Sequence, residues 1–495
     1  MNRGAESISQ NVRKQRLTLK DGVLPQEKLV LSQSARGERL QKRWPGVIGK
    51  RSLSTAPPTP LVTYDYAFDM VGSHVRYGVG VTREVGFELR EMGCKRVMVL
   101  TDSHLNSLRP RGPVQTVLDS LDEAKVHYEL YPDVVVEPTA TSFKKAIDFA
   151  TKGGFDSFVA VGGGSTIDTA KAANLYSTHP APFLDYVNAP IGKGKPPPGP
   201  VKPLIAIPTT AGTGSETTGV AIFDFEDIGA KTGIAHRLLR PTLGLIDPEN
   251  TKTMPKSVIA ASGFDVLSHS LESYTAIKYD ERSPRPLTPA MRPAYQGANP
   301  ISDIWSRAAI GIINKYFRRA YHDSDDAEAR AQMMLAATYA GTSLANSGVH
   351  LPHGMSYAIS GGVNSWRPLD WPTDKDGSKP SIIPHGYSVI LSAPAVFRWT
   401  ASANPERHLE AALLLGAPSS TRPQDAGRAL SDMLLPLMHE LGVPNGLSAI
   451  GLGEKDIPKL VEGTLPQHRV TKLAPKPADK DALAQLFSEG FTLFK

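Results

Sequence analysis

Between residues 96 and 248 the chain carries five short runs that are apolar almost without interruption: RVMVLTD (96–102), DSFVAVGGG (156–164), PLIAIPTT (203–210), GVAIFDF (219–225) and TLGLIDP (242–248). A strand with one wet face alternates apolar and polar residues, so most of these runs belong in a sheet covered on both faces. Helical stretches, TSFKKAIDFATKG (141–153) and STIDTAKAANLY (165–176), separate several of them. Strands alternating with helices predict a mostly parallel α/β domain over residues 61–250. Beyond residue 255 the strand signal fades into long Ala- and Leu-rich segments with helical spacing, which predicts an all-helical domain over 251–495. Two Pro-rich loops, 279–300 and 361–384, interrupt it; loops this long are usual only where they carry function or are disordered.

Composition narrows the chemistry. A single cysteine, Cys94, among 495 residues excludes a disulfide framework and any CxxC zinc site, so a metal here needs His and carboxylate ligands. The net charge of +6 is uneven. Residues 1–60 hold seven Arg and five Lys against four acidic residues, and the rest of the chain carries −2. A basic leader on a nearly neutral body argues against nucleic-acid binding. The leader is Arg-rich, contains Ser and lacks an apolar h-region, which fits a mitochondrial transit peptide, the alternative being a disordered extension. No run of 18 apolar residues is present, so no membrane association is expected.

Two loops have the makings of a nucleotide site. Gly162, Gly163 and Gly164 stand between an apolar run and a helix whose first turn holds Ser165 and Asp168. Glycines there let the backbone approach a diphosphate, and a helix N-terminus offers free N–H groups; equally, Ser165 and Asp168 could form a capping box. The turn TTAGTGSET supplies hydroxyls from Thr209, Thr210, Thr213 and Ser215. Small-residue loops at the carboxyl ends of neighbouring strands form the crevice in which open α/β sheets bind nucleotides. Asp102, at the end of RVMVLTD, can accept both ribose hydroxyls and repel the 2′-phosphate of NADP, or cap a helix.

Asp265 and His269 lie four residues apart, on one helix face. Alone, that pair reads as a surface pair or a core histidine. His353 and His385 alter the reading, since each sits in a Pro-His-Gly triplet near a predicted helix start. Three imidazoles and one carboxylate suit Fe(II) or Zn(II). His350 is an alternative to His353.

Taken together, the strand-end Asp102, GGGSTIDTAK (162–171), PTTAGTGSE (208–216), KTGIAHRLLRPTLGLIDP (231–248), FDVLSHSLE (264–272), HGMSY (353–357) and PHG (384–386) resemble the iron-containing alcohol dehydrogenase family. The resemblance implies a dinucleotide-binding α/β N-terminal domain and an all-helical metal-binding C-terminal domain, the dehydroquinate synthase-like fold. It implies a divalent metal, Fe2+ or Zn2+, on Asp265, His269, His353 and His385. NAD is then expected on Asp102, the Gly162–Asp168 turn, the Thr209–Ser215 turn and Lys231.

Two departures narrow the resemblance. Tyr357 stands where simple members of the family have a second histidine, and His353 and His385 are 32 residues apart instead of close together. With RPAYQGANPISDIW (292–305) and GVHLPHGMSYAISG (348–361), these features resemble the hydroxyacid-oxoacid transhydrogenase branch. That implies oxidation of 4-hydroxybutyrate to succinic semialdehyde coupled to reduction of 2-oxoglutarate, through NAD that stays bound. The runner-up is an NAD(P)-dependent metal alcohol dehydrogenase that releases its cofactor each turnover. Small hydroxyacids and oxoacids are the expected partners, and a homodimer is compatible with the sequence. Both substrates carry carboxylates, which makes Arg292, Arg285 and Arg367 candidate clamps. Tyr357 is a candidate proton relay or nicotinamide contact.

Overall fold

The computed structural model describes residues 64–228, 230–363, 365–372 and 381–494; the leader expected over 1–60 lies outside them. Residues Val62–Lys495 form one compact unit. Six strands make a parallel sheet: β1 (Val75–Tyr77), β2 (Arg96–Asp102), β3 (His127–Val134), β4 (Ser157–Gly162), β5 (Leu204–Pro208) and β8 (Leu243–Ile246), in the order β1-β8-β5-β4-β2-β3. All six residues of β4 and all five of β5 are buried, as their continuous apolar runs require. The helix Pro113–Ala124 packs its Val117, Leu118 and Leu121 on one face of the sheet. Ala146 and Ala150 of the helix Ala140–Gly153, with Ile167 and Ala170 of the helix Gly164–Thr178, cover the other.

One of the five runs goes elsewhere. Val220–Phe225 is a strand (β6), but it pairs antiparallel with β7 (Ala230–Ala235) in a separate two-stranded sheet. Its inner residues Ala221 and Phe223 pack with Phe143 and Tyr176 of the covering helices. Strands β1, β3 and β7 are additions to the sequence expectation. β3 alternates half-buried and exposed residues at the sheet edge, and β1 is three residues long, so neither leaves a continuous apolar run.

The chain goes from β2 out to β3 and then returns to place β4 on the opposite side of β2. That reversal opens a crevice beyond the carboxyl ends of β2 and β4, where α/β sheets bind ligands. It puts Asp102 and Gly162 side by side at one end of the molecule's working face.

From Lys256 onward the named elements are all helical among the described residues. The helix Lys256–Thr275 is buried over 17 of its 20 residues, so it is central and turns no face to solvent. The helices Pro300–His322, Ala327–Ser347 and His385–Ile390 pack around it. The last of these approaches closely because residue 386 is glycine: a Cβ there would lie 1.8 Å from the carbonyl oxygen of Ala261.

Candidate metal centre and dinucleotide cleft

A cleft of about 1400 Å3 runs from Asp102 past Gly163, Gly164 and Thr210 to Lys231, Asp265 and His385. Its floor is made by two interlocked loops. A Cβ on Gly164 would lie 2.5 Å from Thr213 Cγ2, one on Gly163 would lie 3.3 Å from Thr210, and one on Gly162 would lie 2.2 Å from Thr166 Oγ1. The three glycines are therefore needed for close packing of the turns, which leaves Thr209, Thr210 and Thr213 on the cleft wall.

A capping box between Ser165 and Asp168, the alternative to phosphate binding, does not form. Gly163 is the N-cap of the helix Gly164–Thr178 and lends no side chain. The Ser165 hydroxyl accepts from Glu137 N–H at 3.1 Å. Asp168 reaches away from the crevice: it accepts from Ser215 Oγ, from Ile222 N–H at 2.9 Å and from Lys171 Nζ at 3.2 Å. Lys171 is fully buried and also donates to Ser215, Thr218 and the Val220 carbonyl. Asp168 and Ser215 thus tie the two loops together from behind. Asp102 lines the cleft, and its carboxylate caps the short helix Ser103–Ser107 by accepting from Leu105 N–H at 2.9 Å.

Lys231, 3% exposed, closes the side of the cleft between two carboxylates, Glu137 at 2.7 Å and Asp224 at 3.1 Å. Burial opposes its charge, but the two carboxylates outweigh burial and raise its pKa.

At the inner end three imidazoles converge on one carboxylate oxygen. Asp265 Oδ1 lies 3.4 Å from His269 Nε2, 3.6 Å from His353 Nε2 and 3.9 Å from His385 Nε2. The ligand atoms of Asp265, His269 and His353 lie within 4.8 Å of one another. Asp265 Oδ1 and His353 Nε2 are buried and have no hydrogen-bond partner. Leaving such atoms unpaired in a protein interior costs about 1–3 kcal/mol each. Orphaned atoms pointing at a common centre, with an N3O donor set, fit a divalent iron or zinc ion.

The electrostatics follow. Burial would raise the pKa of Asp265, but the imidazoles of His269, His385 and His353 hold it well below the ordinary range. Burial pushes His269 down to about 4. Burial also acts to lower His353, but Glu272 and Asp265 outweigh it and hold the group at about 9.

Glu272 went unremarked in the sequence, although its spacing of seven from Asp265 and three from His269 puts it on their helix face. Its Oε1 accepts from His353 Nδ1 at 2.6 Å. A carboxylate only accepts here, so Nδ1 keeps its proton, and Nε2 is the nitrogen that would give up its proton to offer a lone pair at the metal position. Glu272 also accepts from the His350 N–H at 2.7 Å. His350, the alternative ligand, is spent locally: Nδ1 accepts from Leu351 N–H at 2.8 Å, and Nε2 bonds Thr275 Oγ1 at 3.0 Å.

The arginine expectations need correction. Arg292 makes a two-pronged pair with Asp65, at 3.1 and 3.0 Å, and lies 3.7 Å from Asp69, so its fork is already filled by the chain's own carboxylates. Arg285 stacks on the Tyr66 ring at 4.0 Å. Arg367 does line the cleft and donates to the carbonyls of Trp371 and Pro372. Tyr357 is one helical turn beyond His353, in the helix Leu351–Gly362, with its ring stacked nearly parallel to that of His385 at 6.4 Å. Its hydroxyl accepts from Arg469, a residue with no motif to mark it.

Known proteins resemble this chain throughout the described unit. The family description "Iron-containing alcohol dehydrogenase" matches residues 72–248, and its C-terminal counterpart matches 294–365 and 381–491. A mitochondrial hydroxyacid-oxoacid transhydrogenase of Bos taurus is 57% identical over 434 residues, covering 87% of this chain and 91% of that protein. The Homo sapiens protein of the same name is 55% identical over the same shares. Among solved structures, an alcohol dehydrogenase from Oenococcus oeni superposes with a TM-score of 0.74 at 26% identity, covering 86% of this chain and all of that one. A sulfoacetaldehyde reductase from Bifidobacterium kashiwanohense, in complex with NAD+, gives 0.68 at 25% identity, over 86% and 98%. With both domains matched and relatives above 50% identity over most of its length, the chain belongs to the iron-containing alcohol dehydrogenase family.

Proposed function

We propose that this protein is a mitochondrial hydroxyacid-oxoacid transhydrogenase. It oxidises 4-hydroxybutyrate to succinic semialdehyde and passes the electron pair to 2-oxoglutarate, giving 2-hydroxyglutarate. Support comes from identity of 53–57% with proteins so named and from one continuous cleft that joins the glycine turn to the Asp265–His385 cluster. The basic leader suits the mitochondrial address those relatives carry in their names.

Asp265, His269, His353 and His385 would hold a divalent iron or zinc ion, and the cleft from Asp102 to Lys231 would hold NAD. When bound, the ion would supply polarisation of a hydroxyl or carbonyl oxygen, and the nicotinamide would supply hydride chemistry. The protein's own part is geometric and electrostatic. Glu272 fixes the His353 tautomer. The interlocked turns hold the backbone of residues 163–164 and 210–213 rigid against the cofactor. Lys231, paired with Glu137 and Asp224, closes the side of the cleft. In each full cycle the hydroxyacid loses a hydride and a proton, and the oxoacid gains a hydride and a proton, so no external oxidant is consumed.

The test is a coupled assay on metal-replete protein with no NAD added. Turnover of 4-hydroxybutyrate should require 2-oxoglutarate and obey ping-pong kinetics. NADH accumulating at 340 nm upon NAD addition, with no need of an oxoacid, would establish the cofactor-releasing dehydrogenase instead.

A further inference from the structure

Both proposed substrates end in a carboxylate, and the arginines expected to meet it are engaged. Arg292 is paired with Asp65, Arg285 stacks on the Tyr66 ring, and Arg367 donates to the carbonyls of Trp371 and Pro372. Arg469 differs from Arg292. Among the described residues no carboxylate pairs with it: its guanidinium donates to Tyr357 Oη at 3.2 Å and lies 5.0 Å over the Tyr295 ring. Its Nη1 is buried and has no hydrogen-bond partner. A guanidinium presents a rigid fork matched to a carboxylate, and a fork held between two tyrosines with one prong unused is preorganised for an anion.

Its position is fixed by packing next to the metal cluster. Arg469 lies in the short helix His468–Thr471, which can sit against the helix Leu351–Gly362 because residue 354 is glycine: a Cβ there would lie 2.7 Å from Thr471 Cγ2. The preceding residue but one, Gln467, reaches the Lys231 carbonyl at 3.5 Å. The tyrosine between the cation and the cluster is Tyr357, four residues after His353 and stacked nearly parallel to the His385 ring. Each Pro-His-Gly glycine thus has one purpose: Gly386 brings His385 onto the central helix, and Gly354 brings Arg469 alongside Tyr357.

We infer that Arg469, with Tyr357 beside it, binds the substrate carboxylate remote from the reacting carbon and so selects hydroxyacids and oxoacids over neutral alcohols. The inference rests on the transhydrogenase reading for the identity of the acids, and on the geometry of Arg469 for their capture. A neutral alcohol leaves the fork empty and gains nothing from it.

The experiment compares wild type, Arg469→Gln and Arg469→Lys, each as the full metal-loaded chain. With 4-hydroxybutyrate, Arg469→Gln should raise KM on the order of 100-fold with a smaller change in kcat, as expected for loss of a charge-assisted pair. With the methyl ester of 4-hydroxybutyrate, wild type and Arg469→Gln should have equal KM. Arg469→Lys, which keeps charge without the fork, should fall between. Independently of turnover, calorimetric binding of glutarate, a dicarboxylate without a hydroxyl, should be weakened in the same order. An unchanged KM for the acid, an equal loss for acid and ester, or glutarate affinity indifferent to residue 469 would each overturn the inference. If wild type fails to couple hydroxyacid to oxoacid, the transhydrogenase reading fails, and glutarate binding still decides the role of Arg469. Arg469→Lys decides it also if Arg469→Gln does not fold.

Discussion

Glu272 Oε1 and His353 Nδ1 are 2.6 Å apart in the interior of the helical domain, and that one contact determines which face of the imidazole is available to a metal. Replacing Glu272 with Ala should lower affinity for Fe2+ or Zn2+ about 10–100-fold, the usual effect of losing a carboxylate behind a histidine ligand. Competition with a chelator measures it, and Glu272→Gln, which can still accept from Nδ1–H, should lose less. Equal metal retention in all three proteins would remove Glu272 from this role.

Gly386 should tolerate no side chain. Alanine there places a Cβ where the Ala261 carbonyl oxygen already is, so the His385–Ile390 helix must shift and carry His385 with it. Overpacking of this kind costs about 1–3 kcal/mol. Gly386→Ala should therefore lose bound metal more completely than its modest fall in thermal stability would suggest; elemental analysis beside a melting curve separates the two.

Asp168→Ala should destabilise the fold strongly, because it strips the fully buried Lys171 of its carboxylate. Breaking a buried pair from one side costs about 3–5 kcal/mol. Denaturant unfolding measures this, and a loss under about 1 kcal/mol would mean that Ser215, Thr218 and Val220 satisfy the ammonium by themselves.

Arg292→Ala should leave KM for 2-oxoglutarate unchanged and lower stability by about 1–3 kcal/mol at neutral pH, since its partner is Asp65. The hydrogen bond from Arg292 holds the Asp65 carboxyl below its ordinary value against the opposing effect of burial. The folded state then binds a proton less readily than the unfolded one. The pair's contribution is complete above about pH 4 and is lost as pH falls through the lowered folded value. The stability gap between variant and wild type should accordingly close in acid, and a gap that widens would contradict the assignment.

Asp102→Gly should admit NADP. The carboxylate lines the cleft at the end of β2, where it would repel a 2′-phosphate. Affinity for NADP should rise about tenfold or more, with about 1 kcal/mol lost from the cap on the Ser103–Ser107 helix. Fluorescence titration with both cofactors tests it.

Much of the site was legible because it is written locally. Asp265 and His269 share a helix face at a spacing that any helix enforces, and the three glycines after β4 mark close approach whatever they approach. What the glycines approach was not legible: they pack on Thr210 and Thr213, and Asp168 turns behind the loop to Lys171 instead of capping its own helix. The choice between His350 and His353 also needed the fold, since only the positions of Thr275, Leu351 and Glu272 show which ring is already satisfied.

The sequence by itself determined the alternation of buried strands and helices, the helical second half, the histidine and carboxylate chemistry that a lone cysteine demands, and the residues able to supply it. Tertiary structure decided which charged groups are free to act. Arg292 looked available and is consumed by Asp65, a partner 227 residues away; Arg469 carried no motif and holds an unused prong beside Tyr357. The reason is physical: periodicity and turn chemistry are short-range properties of the chain, whereas whether a cation is neutralised depends on which distant carboxylate packing brings within about 4 Å.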